Sequence, residues 1–341
     1  MKQKKVTFAD IAAYTGFSKT TISRYFNNPD SLTLENQEKI AHALDILGYQ
    51  ENKLAKVLAN GKSEFVGIII PNLYLHYYSE MLNQLLSTYE KYNYKFLVFI
   101  GNNKKEIEEK YIHELMAYKI EGLIVLSNTI SSEELASYKL PVVTIERECD
   151  HVCSVSTDNY LGGVQATSLL IRNKCDVILH INSIFPDTLP TYGRIRGFED
   201  ICNEHHVVHE LIQRNLGNTY QETLTQLKNI FNEIEEKYPS QKKGVFLAND
   251  TYASMFLNLI FQKYGKLPKD YQIVGFDDSP IASEAILPIT TVGKQIEKIA
   301  QTAMELLVLQ MNEMKKRKPA PLKEPVHKQI TPVLIRRNTT D

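Results

Sequence analysis

The chain has 341 residues, of which 43% are hydrophobic, and a formal net charge of −1 at pH 7. That length predicts two or three domains, and the composition is ordinary for a globular protein with a buried core. No run approaches the ~18 consecutive apolar residues of a membrane span, and the charged N-terminus lacks the apolar stretch of a secretory signal. We therefore expect a cytoplasmic protein with no membrane partner, whose four Cys are reduced thiols rather than a disulfide framework.

The small net charge hides an asymmetry between the two ends of the chain. Residues 1–62 contain nine Lys or Arg and six Asp or Glu, a balance of +3, so the remainder carries −4. A basic front on a mildly acidic body is typical of a protein that contacts nucleic acid at one end.

Two short helices joined by a tight turn are predicted first. Ile11, Ala12 and Thr15 share one helical face, Gly16 permits the positive φ that ends a helix, and Ser18 can cap the next helix. This is the helix-turn-helix pattern, whose second helix lies in the DNA major groove. The predicted base-reading residues are Lys19, Thr20 and Arg24, and the predicted phosphate contacts are Ser18, Thr21, Ser23 and Asn27. A helical hairpin with a solvated polar face is the alternative.

A third helix should begin at Thr33, as N-cap, and stop at Gly48. The predicted core of this small all-α domain is Phe8, Ile11, Ala12, Phe17, Ile22, Phe26, Ile40, Leu44 and Leu47. The segment 49–61 that follows is amphipathic but only two turns long, so alone it should be mostly unfolded in water. It either folds when a twin helix or a DNA groove covers it, or it is a plain linker.

The order of short motifs in this region resembles the N-terminus of the lactose-repressor (LacI/GalR) family of bacterial transcription regulators. The motifs are Asp-Ile-Ala, Gly-Phe-Ser, Thr-Ile-Ser-Arg, Asn-Asn, Leu-Gly-Tyr and Asn-Lys-Leu-Ala-Lys-Val-Leu. The resemblance implies that Lys19, Thr20 and Arg24 read bases. It also implies a hinge helix from Asn52 to Ala59 that pairs with its dimer mate in the minor groove, with Asn52, Ala55 and Leu58 as contacts and Leu58 as the apolar wedge. Glu51, Lys56, Gln37 and Tyr25-Phe26 depart from the family pattern.

From Ser63 onward the pattern changes to alternating strands and helices. The predicted strands are Phe65–Ile70, Phe96–Ile100, Gly122–Leu126, Val142–Ile145, Ser154–Ser156, Val177–Ile181, Gly244–Leu247 and Ile273–Phe276. The predicted helices are Glu80–Tyr92, Lys105–Tyr118, Gly162–Arg172, Ile195–Asn203, Tyr220–Lys237, Tyr252–Tyr264 and Lys294–Met314. Such alternation over some 270 residues predicts parallel sheets with helices on both faces, and is too long for one sheet. The predicted domains are 1–48 for DNA binding, 49–62 for the hinge and 63–341 for a two-lobe α/β core.

Polar residues that directly follow predicted strands should meet at the cleft between the lobes, since ligands of such folds bind at the carboxyl ends of strands. The family resemblance extends over Asp158–Gly163, Arg194–Phe198, Asn249-Asp250, Val274–Asp278, Pro288–Val292 and Leu334–Thr340, and the core resembles periplasmic sugar-binding proteins. The candidate effector-binding residues are Arg194, Asn249, Asp277, Asp158, Tyr77, Tyr78 and Tyr220. Carboxylates, an amide and a guanidinium in one cleft suit a polyhydroxylated ligand, so we expect a sugar or sugar phosphate.

The sequence therefore predicts a homodimeric, effector-controlled transcription regulator, and we expect it to be a repressor. It should bind a near-palindromic double-stranded DNA operator of a carbohydrate operon. Whether the effector releases or tightens DNA binding stays open. The alternative is a cytoplasmic sugar-binding protein or enzyme on the same fold. No nucleophile, phosphate-loop or zinc-protease motif is present, so we expect no catalytic residue, cofactor or metal.

For three further groups of residues we prefer a structural role to a functional one. The Cys149–Cys153 segment lacks a zinc spacing. His205, His206 and His209 are expected at a helix end facing solvent. The basic run Lys315–Lys318 is expected to be a solvated connection rather than a second nucleic-acid contact.

Overall fold

A computed structural model of the protein describes residues 6–50, 63–147, 150–316, 318 and 324–341. The chain divides into two compact units, Met1–Lys62 and Ser63–Asp341. The predicted hinge contacts Asn52, Ala55 and Leu58 lie outside the described residues.

The first unit contains three helices, α1 (Phe8–Thr15), α2 (Lys19–Asn27) and α3 (Leu34–Leu47). Its fully buried residues are Ile11, Ile22, Ile40 and Ala43, one set of small and branched side chains that the three helices share. Half-buried aromatic residues close this core, and the rings of Phe8 and Phe26 stack with centroids 5.2 Å apart. The predicted caps are confirmed, because Thr33 accepts a hydrogen bond from the Asn36 amide and Gly48 ends α3 with a φ of 60°.

The second unit holds two six-stranded sheets, each with helices on both faces. Its elements before the first long crossover are β1 (Phe65–Ile70), α4 (His76–Ser87), α5 (Tyr89–Tyr92), β2 (Lys95–Ile100), α6 (Lys105–Ala117), β3 (Gly122–Val125), α7 (Ser132–Ser137), β4 (Val142–Ile145) and β5 (Cys153–Thr157). The next elements are α8 (Asn159–Arg172), β6 (Val177–Ser183), α9 (Gly193–Glu204), β7 (His209–Arg214), α10 (Tyr220–Lys237), β8 (Lys243–Leu247), α11 (Asp250–Tyr264), β9 (Tyr271–Asp277), α12 (Pro280–Glu284) and β10 (Thr290–Gly293). The chain closes with α13 (Ile296–Met314), β11 (His327–Ile330) and β12 (Val333–Ile335).

The order of strands shows that neither sheet is built from one continuous piece of chain. The first sheet, in lobe 1, has the order β11-β5-β4-β3-β1-β2, and the second, in lobe 2, has the order β12-β10-β9-β8-β6-β7. All neighbours are parallel except β12, which runs antiparallel to β10. The chain therefore passes between the lobes three times, at residues 157–159, 293–296 and 330–333. These crossovers, and the carboxyl ends of the parallel strands, place polar residues of both lobes near one another.

Apolar layers on both faces of each sheet explain why the strands read as continuous hydrophobic runs. In lobe 1, α4 and α13 cover one face, with Met81, Leu85 and Leu307 packed on Ile68 and Ile124. In lobe 2, α8 and α9 cover one face while α10 and α11 cover the other. The two-lobe α/β core predicted from the sequence is present.

Several details of the predicted core are wrong, among them the start of the predicted helix Lys294–Met314, which begins at Ile296. The edge strand β7 was not predicted from the sequence. His209, expected to face solvent at a helix end, is instead the half-buried first residue of this strand, and its ring lies 5.6 Å from that of Phe198. The predicted helix Glu80–Tyr92 begins earlier, at His76, and is interrupted at Thr88.

Candidate functional site

The turn between α1 and α2 is held by hydrogen bonds that the sequence places there. The Asp10 carboxylate accepts from the amide and hydroxyl of Thr7 at 2.8 and 2.6 Å, which fixes the start of α1. Gly16 has a φ of 76°, where a side chain would be strained, and ends α1. Ser18 then accepts from the Thr21 amide at 3.1 Å and caps α2. The two helices are thus fixed relative to each other by local chemistry as well as by the shared core.

The outer face of α2 separates the predicted DNA contacts into two groups. Lys19, Thr20 and Arg24 are exposed, and their side chains make no hydrogen bond or ion pair with any other described residue. The four predicted phosphate contacts instead bond locally. The Ser18 and Thr21 hydroxyls are 2.9 Å apart, and the Asn27 amide nitrogen donates to the Ser23 carbonyl at 2.9 Å. The predicted base-reading side chains are therefore the ones left with unused donors.

In the second unit, five polar side chains meet between the lobes, and we call them the interlobe cluster. They are Glu146, Asn159, Arg194, Asp277 and Lys294, each no more than 7% exposed. They come from the end of β4, the start of α8, the first turn of α9, the end of β9 and the residue after β10. The cluster holds two carboxylates and two cations, so its formal charges cancel.

Arg194 provides the guanidinium group of this cluster, and three contacts fix the orientation of its side chain. Its Nε donates to Asn159 Oδ1 at 2.8 Å and its Nη1 donates to the Ala248 carbonyl. The guanidinium carbon lies 3.7 Å above the Phe276 ring, a cation–π contact. These bonds use Nε and Nη1, and none of the described residues accepts from Nη2.

Close packing of α8 against α9 makes the Arg194 contact with Asn159 possible. A Cβ atom on Gly163 would lie 2.4 Å from the Arg194 carbonyl oxygen, and one on Gly197 would lie 2.4 Å from the Tyr160 carbonyl oxygen. Glycine is needed at both positions because the backbone of the neighbouring helix occupies the space that a side chain would fill. The two helix starts are thereby brought together at the cleft.

The carboxylates of Glu146 and Asp277 belong to different lobes, and Lys294 contacts both. Lys294 Nζ lies 3.3 Å from Asp277 Oδ1 and 3.6 Å from Glu146 Oε1. Its ammonium also lies 3.9 Å from the centroid of the Tyr77 ring. Glu146 is further held by Thr157, whose amide and hydroxyl donate at 3.0 and 2.6 Å, and by Asn159 Nδ2 at 3.0 Å.

Burial and charge shift the two carboxyl pKa values in opposite directions. Burial alone would raise the pKa of Glu146, but the charges of Lys294 and Arg194 and the bonds from Thr157 and Asn159 outweigh it and hold that pKa below its usual value. The pKa of Asp277 is raised, because burial and the nearby Glu146 outweigh the same two cations. Asp277 is thus the carboxylate that is less completely stabilised, and its Oδ2 makes no bond to a described residue.

Asp250, fully buried behind the cluster, holds the chain that follows Asp277. It accepts from the amide and hydroxyl of Ser279 at 2.8 and 3.2 Å, and from the Thr291 hydroxyl at 2.5 Å. Asp277 and Asp278 both have positive φ values, 111° and 55°, which non-glycine residues seldom adopt. Burial, followed by the charge of Asp277, raises the pKa of Asp250 well above its usual value.

The remaining predicted effector residues do not all lie in the cluster. Asn249 and Asp158 are N-caps, accepting from the amides of Tyr252 at 2.8 Å and Leu161 at 3.0 Å. Tyr77 and Tyr78 begin α4, with rings 5.2 Å apart, and the Tyr77 hydroxyl is buried without a hydrogen-bond partner among the described residues. Tyr220 is 47% exposed at the start of α10, and no described contact joins it to the cluster.

Sequence reasoning did not select Glu146 or Asn159 as site residues, and it placed Lys294 at a wall of the pocket only through the family resemblance, at a position where many members have Gln. Glu146 directly follows the apolar strand β4, so the rule that selected Asp158 and Asp277 would also have found it. Lys294 follows β10, a strand that the apolar pattern did not reveal because it begins with two Thr.

A polar cavity of about 360 Å³ opens beside the cluster. It is lined from lobe 1 by Glu80 and Gln84 and from lobe 2 by Asp277, Asp278 and Ser279. A larger cavity of about 890 Å³, mostly apolar and lined by Leu140, Val152 and Leu309 among others, contains none of the cluster residues. Size alone therefore does not locate the polar site.

Three other features bear on the earlier interpretations. In the parts of the chain that the structure describes, no group of three or more His, Cys, Asp or Glu is placed to hold a metal ion. No described helix combines the length and apolar character needed to span a bilayer. In the basic run after α13, Lys315 pairs with Glu121 at 2.5 Å and Lys316 pairs with Glu313, so neither is a free cation.

Comparison with known families matches both parts of the chain. Residues 7–52 match the model of bacterial regulatory proteins of the lacI family, and residues 168–340 match a periplasmic binding protein-like domain. A sucrose operon repressor of Streptococcus mutans is 26% identical and the match covers 88% of this chain and 91% of that protein. A ribose operon repressor of Bacillus subtilis is 25% identical over 89% of this chain and 90% of that protein.

Solved structures share the same architecture. The lac repressor dimer bound to operator and an anti-inducer superimposes with a TM-score of 0.81 at 20% identity, covering 99% of each chain, which shows the fold. A periplasmic binding protein/LacI transcriptional regulator from Alkaliphilus metalliredigens, complexed with D-xylulofuranose, gives a TM-score of 0.69 at 26% identity, with 82% of this chain and all of that chain covered.

Proposed function

Because the chain belongs to the lacI family of bacterial regulatory proteins, we propose that it represses an operon for carbohydrate uptake or catabolism under the control of a sugar-like effector. It works as a cytoplasmic homodimer on double-stranded DNA. We propose no enzymatic activity, in keeping with relatives that are repressors.

The observation that carries the DNA-binding role is the outer face of α2. Lys19, Thr20 and Arg24 project from a helix whose start is fixed by the Ser18 cap, and no described residue uses their donors. Lys and Arg can donate to guanine O6 and N7, and Thr can bond a base or touch a thymine methyl. Ser18, Thr21, Ser23 and Asn27 would contact phosphates by exchanging their local hydrogen bonds.

We propose that the domain limits are 1–48, 49–62 and 63–341, with residues 49–62 forming a hinge. In that hinge, Asn52, Ala55 and Leu58 would enter the minor groove, and Leu58 would open a base step. Two copies of the reading helix in a dimer favour a near-palindromic operator, because half-sites repeat the symmetry of the protein.

The interlobe cluster is the proposed effector site, with Arg194 and Asp277 as its main contacts. Arg194 Nη2 offers a donor and Asp277 Oδ2 an acceptor, and the pairing suits hydroxyl groups, which both donate and accept. Asn249, Asp158, Tyr77 and Tyr78 complete the proposed wall, and Tyr220 would join only if the lobes moved. An effector can shift the regulator only by the difference in its affinity for the two states.

The test is fluorescence anisotropy on a labelled duplex taken from upstream of the protein's own gene. It is run at two salt concentrations, with and without ribose, sucrose, gluconate and their phosphates. Salt-sensitive and sequence-selective binding that one of these compounds shifts supports the proposal. A protein that turned over or bound a sugar but bound no DNA selectively would favour the alternative of a sugar-binding protein or enzyme.

A further inference from the structure

Lys294 has an environment unlike that of the other lysines among the described residues. Its side chain is 3% exposed and its ammonium lies between two carboxylates and the face of an aromatic ring. Lys243 is also buried, but it bonds to the carbonyls of Tyr238 and Gln241 and to Asp270 within one lobe. Lys294 alone among these buried lysines has partners in both lobes.

The partners of Lys294 divide evenly between the lobes. Glu146 follows β4 and Tyr77 begins α4, so both belong to lobe 1, whereas Asp277 ends β9 in lobe 2. The Lys294 backbone also joins lobe 2, since its amide donates to the Asp277 carbonyl at 3.2 Å. Separation of the lobes would therefore take the ammonium away from either Glu146 or Asp277.

Loss of either contact would be costly because the site excludes most water. A buried charge that loses its partner keeps its desolvation penalty without the attraction that offset it. If the ammonium were absent, the like charges of Glu146 and Asp277 would repel each other. Arg194 would then be the only cation in the cluster to offset them. The attraction between the two carboxylate-bearing sides of the cluster then depends on a cation that the chain itself provides.

We propose that Lys294 is a tethered cation that holds the two lobes together when no effector is bound, and that an effector changes their arrangement by taking over its contacts with Glu146 and Asp277. This rests on the proposed effector role of the same cleft. Two other contacts also join the lobes. Asn159 Nδ2, at the start of α8, donates to Glu146 Oε2 at 3.0 Å, and the His76 backbone amide and ring lie 3.0 Å from the Thr251 hydroxyl, between α4 and α11.

The test is the distance between the lobes in the full-length protein without DNA or sugar. Spin labels are placed at Lys110→Cys on α6 in lobe 1 and Lys228→Cys on α10 in lobe 2, two exposed positions. Cys149 is replaced by Ser, and the buried Cys153, Cys175 and Cys202 are retained. Labelled protein is diluted with unlabelled protein so that each assembly holds one labelled subunit. Electron–electron resonance then gives the distance distribution.

Lys294→Gln and Glu146→Gln should each move the distribution to longer distances, while Lys298→Gln, one turn along α13 and exposed, should leave it unchanged. The proposal is overturned if Lys294→Gln and Glu146→Gln both match the wild type. It is also overturned if only Lys294→Gln shifts the distance, because a bridge between lobes needs its lobe 1 carboxylate. If circular dichroism shows that Lys294→Gln is unfolded, Lys294→Met decides, because Glu146→Gln also disturbs the bond that Glu146 accepts from Asn159. Failure of the protein to bind DNA or sugar would not alter this readout.

Discussion

The outer face of α2 and the interlobe cluster are both built from polar side chains, but they are in opposite physical states. Lys19, Thr20 and Arg24 are exposed and keep their donors for a partner outside the chain. Arg194 and Lys294 are buried and already bond to the chain itself. The first set of residues can therefore be changed with little effect on folding, whereas the second supports folding and recognition together.

The largest effect is expected at Asp250, which supports the cluster from behind. Asp250→Ala would leave the Ser279 amide and hydroxyl and the Thr291 hydroxyl without their acceptor. We expect a loss of about 3 kcal/mol in the free energy of unfolding, since buried unsatisfied groups keep their desolvation cost. Urea unfolding measures it. Asp278→Asn, which removes the charge of a partly exposed pair with Arg337 and keeps a residue type that tolerates the positive φ, is the control and should cost less than about 1 kcal/mol. Equal losses in the two variants would remove the special role of Asp250.

The next effect concerns recognition alone. Arg24→Ala should weaken binding to the selective operator about 5- to 150-fold, the range for one lost base contact of ~1–3 kcal/mol. Its free energy of unfolding should change by less than about 0.5 kcal/mol, because the side chain is exposed and unpaired in the described structure. Anisotropy and urea unfolding give the two numbers. A large loss of stability with unchanged DNA affinity would show that Arg24 supports the fold and does not contact the operator.

The pH dependence of stability sharpens the contrast further. The raised pKa of Asp250 means that the folded state holds a proton that the unfolded chain has lost, so this group destabilises the fold as pH rises above ~3.9. Asp277, whose pKa is also raised, lowers stability in the same direction. Glu146, whose pKa is lowered, acts in the opposite direction, and its contribution to stability is lost as pH falls below the unfolded Glu value of ~4.3.

The wild type should therefore lose stability relative to Asp250→Asn between about pH 4 and about pH 7, by ~1.4 kcal/mol for each pKa unit of the shift. Urea unfolding of both proteins at the two ends of this range measures the difference. The exposed Asp187→Asn serves as the matched control. A difference that was constant, or that favoured the wild type at higher pH, would show that Asp250 is ionised at no cost.

The smallest effect is expected at the cap of α2. Ser18→Ala removes the acceptor of the Thr21 amide and should lower the stability of the first unit by about 1 kcal/mol. Thr20→Ala, on the same exposed turn, should change stability by less than about 0.5 kcal/mol while weakening DNA binding. Thermal unfolding of both variants distinguishes a residue that caps the helix from one that contacts DNA bases. Identical unfolding curves for the two variants would show that Ser18 does not stabilise α2 as a cap.

The fold was largely predictable because local patterns dictate it. Gly16, Ser18, Thr33 and Gly48 act through bonds within a few residues, and the apolar strands are buried on both faces. β7 was missed because it is an edge strand of mixed polarity that follows a cluster of His.

The site was less predictable because its contacts join distant parts of the chain. The pairing of Lys294 with Glu146 spans two lobes and depends on the crossovers, which no local pattern reveals. A polar residue after a strand is equally suited to cap the next helix, as Asn249 and Asp158 do, or to face a cleft, as Asp277 does. Only the assembled structure distinguishes these outcomes.

The three crossovers also determine the order in which the lobes can be completed during synthesis. When the ribosome has translated as far as Gly293, lobe 2 has every strand except β12, but lobe 1 still lacks α13 and β11. The apolar face that α13 covers and the edge of β5 that β11 pairs with are then open, which is the kind of surface that chaperones bind. The lobe that begins first in the sequence thus keeps an apolar face open after all but one strand of the other lobe has been made.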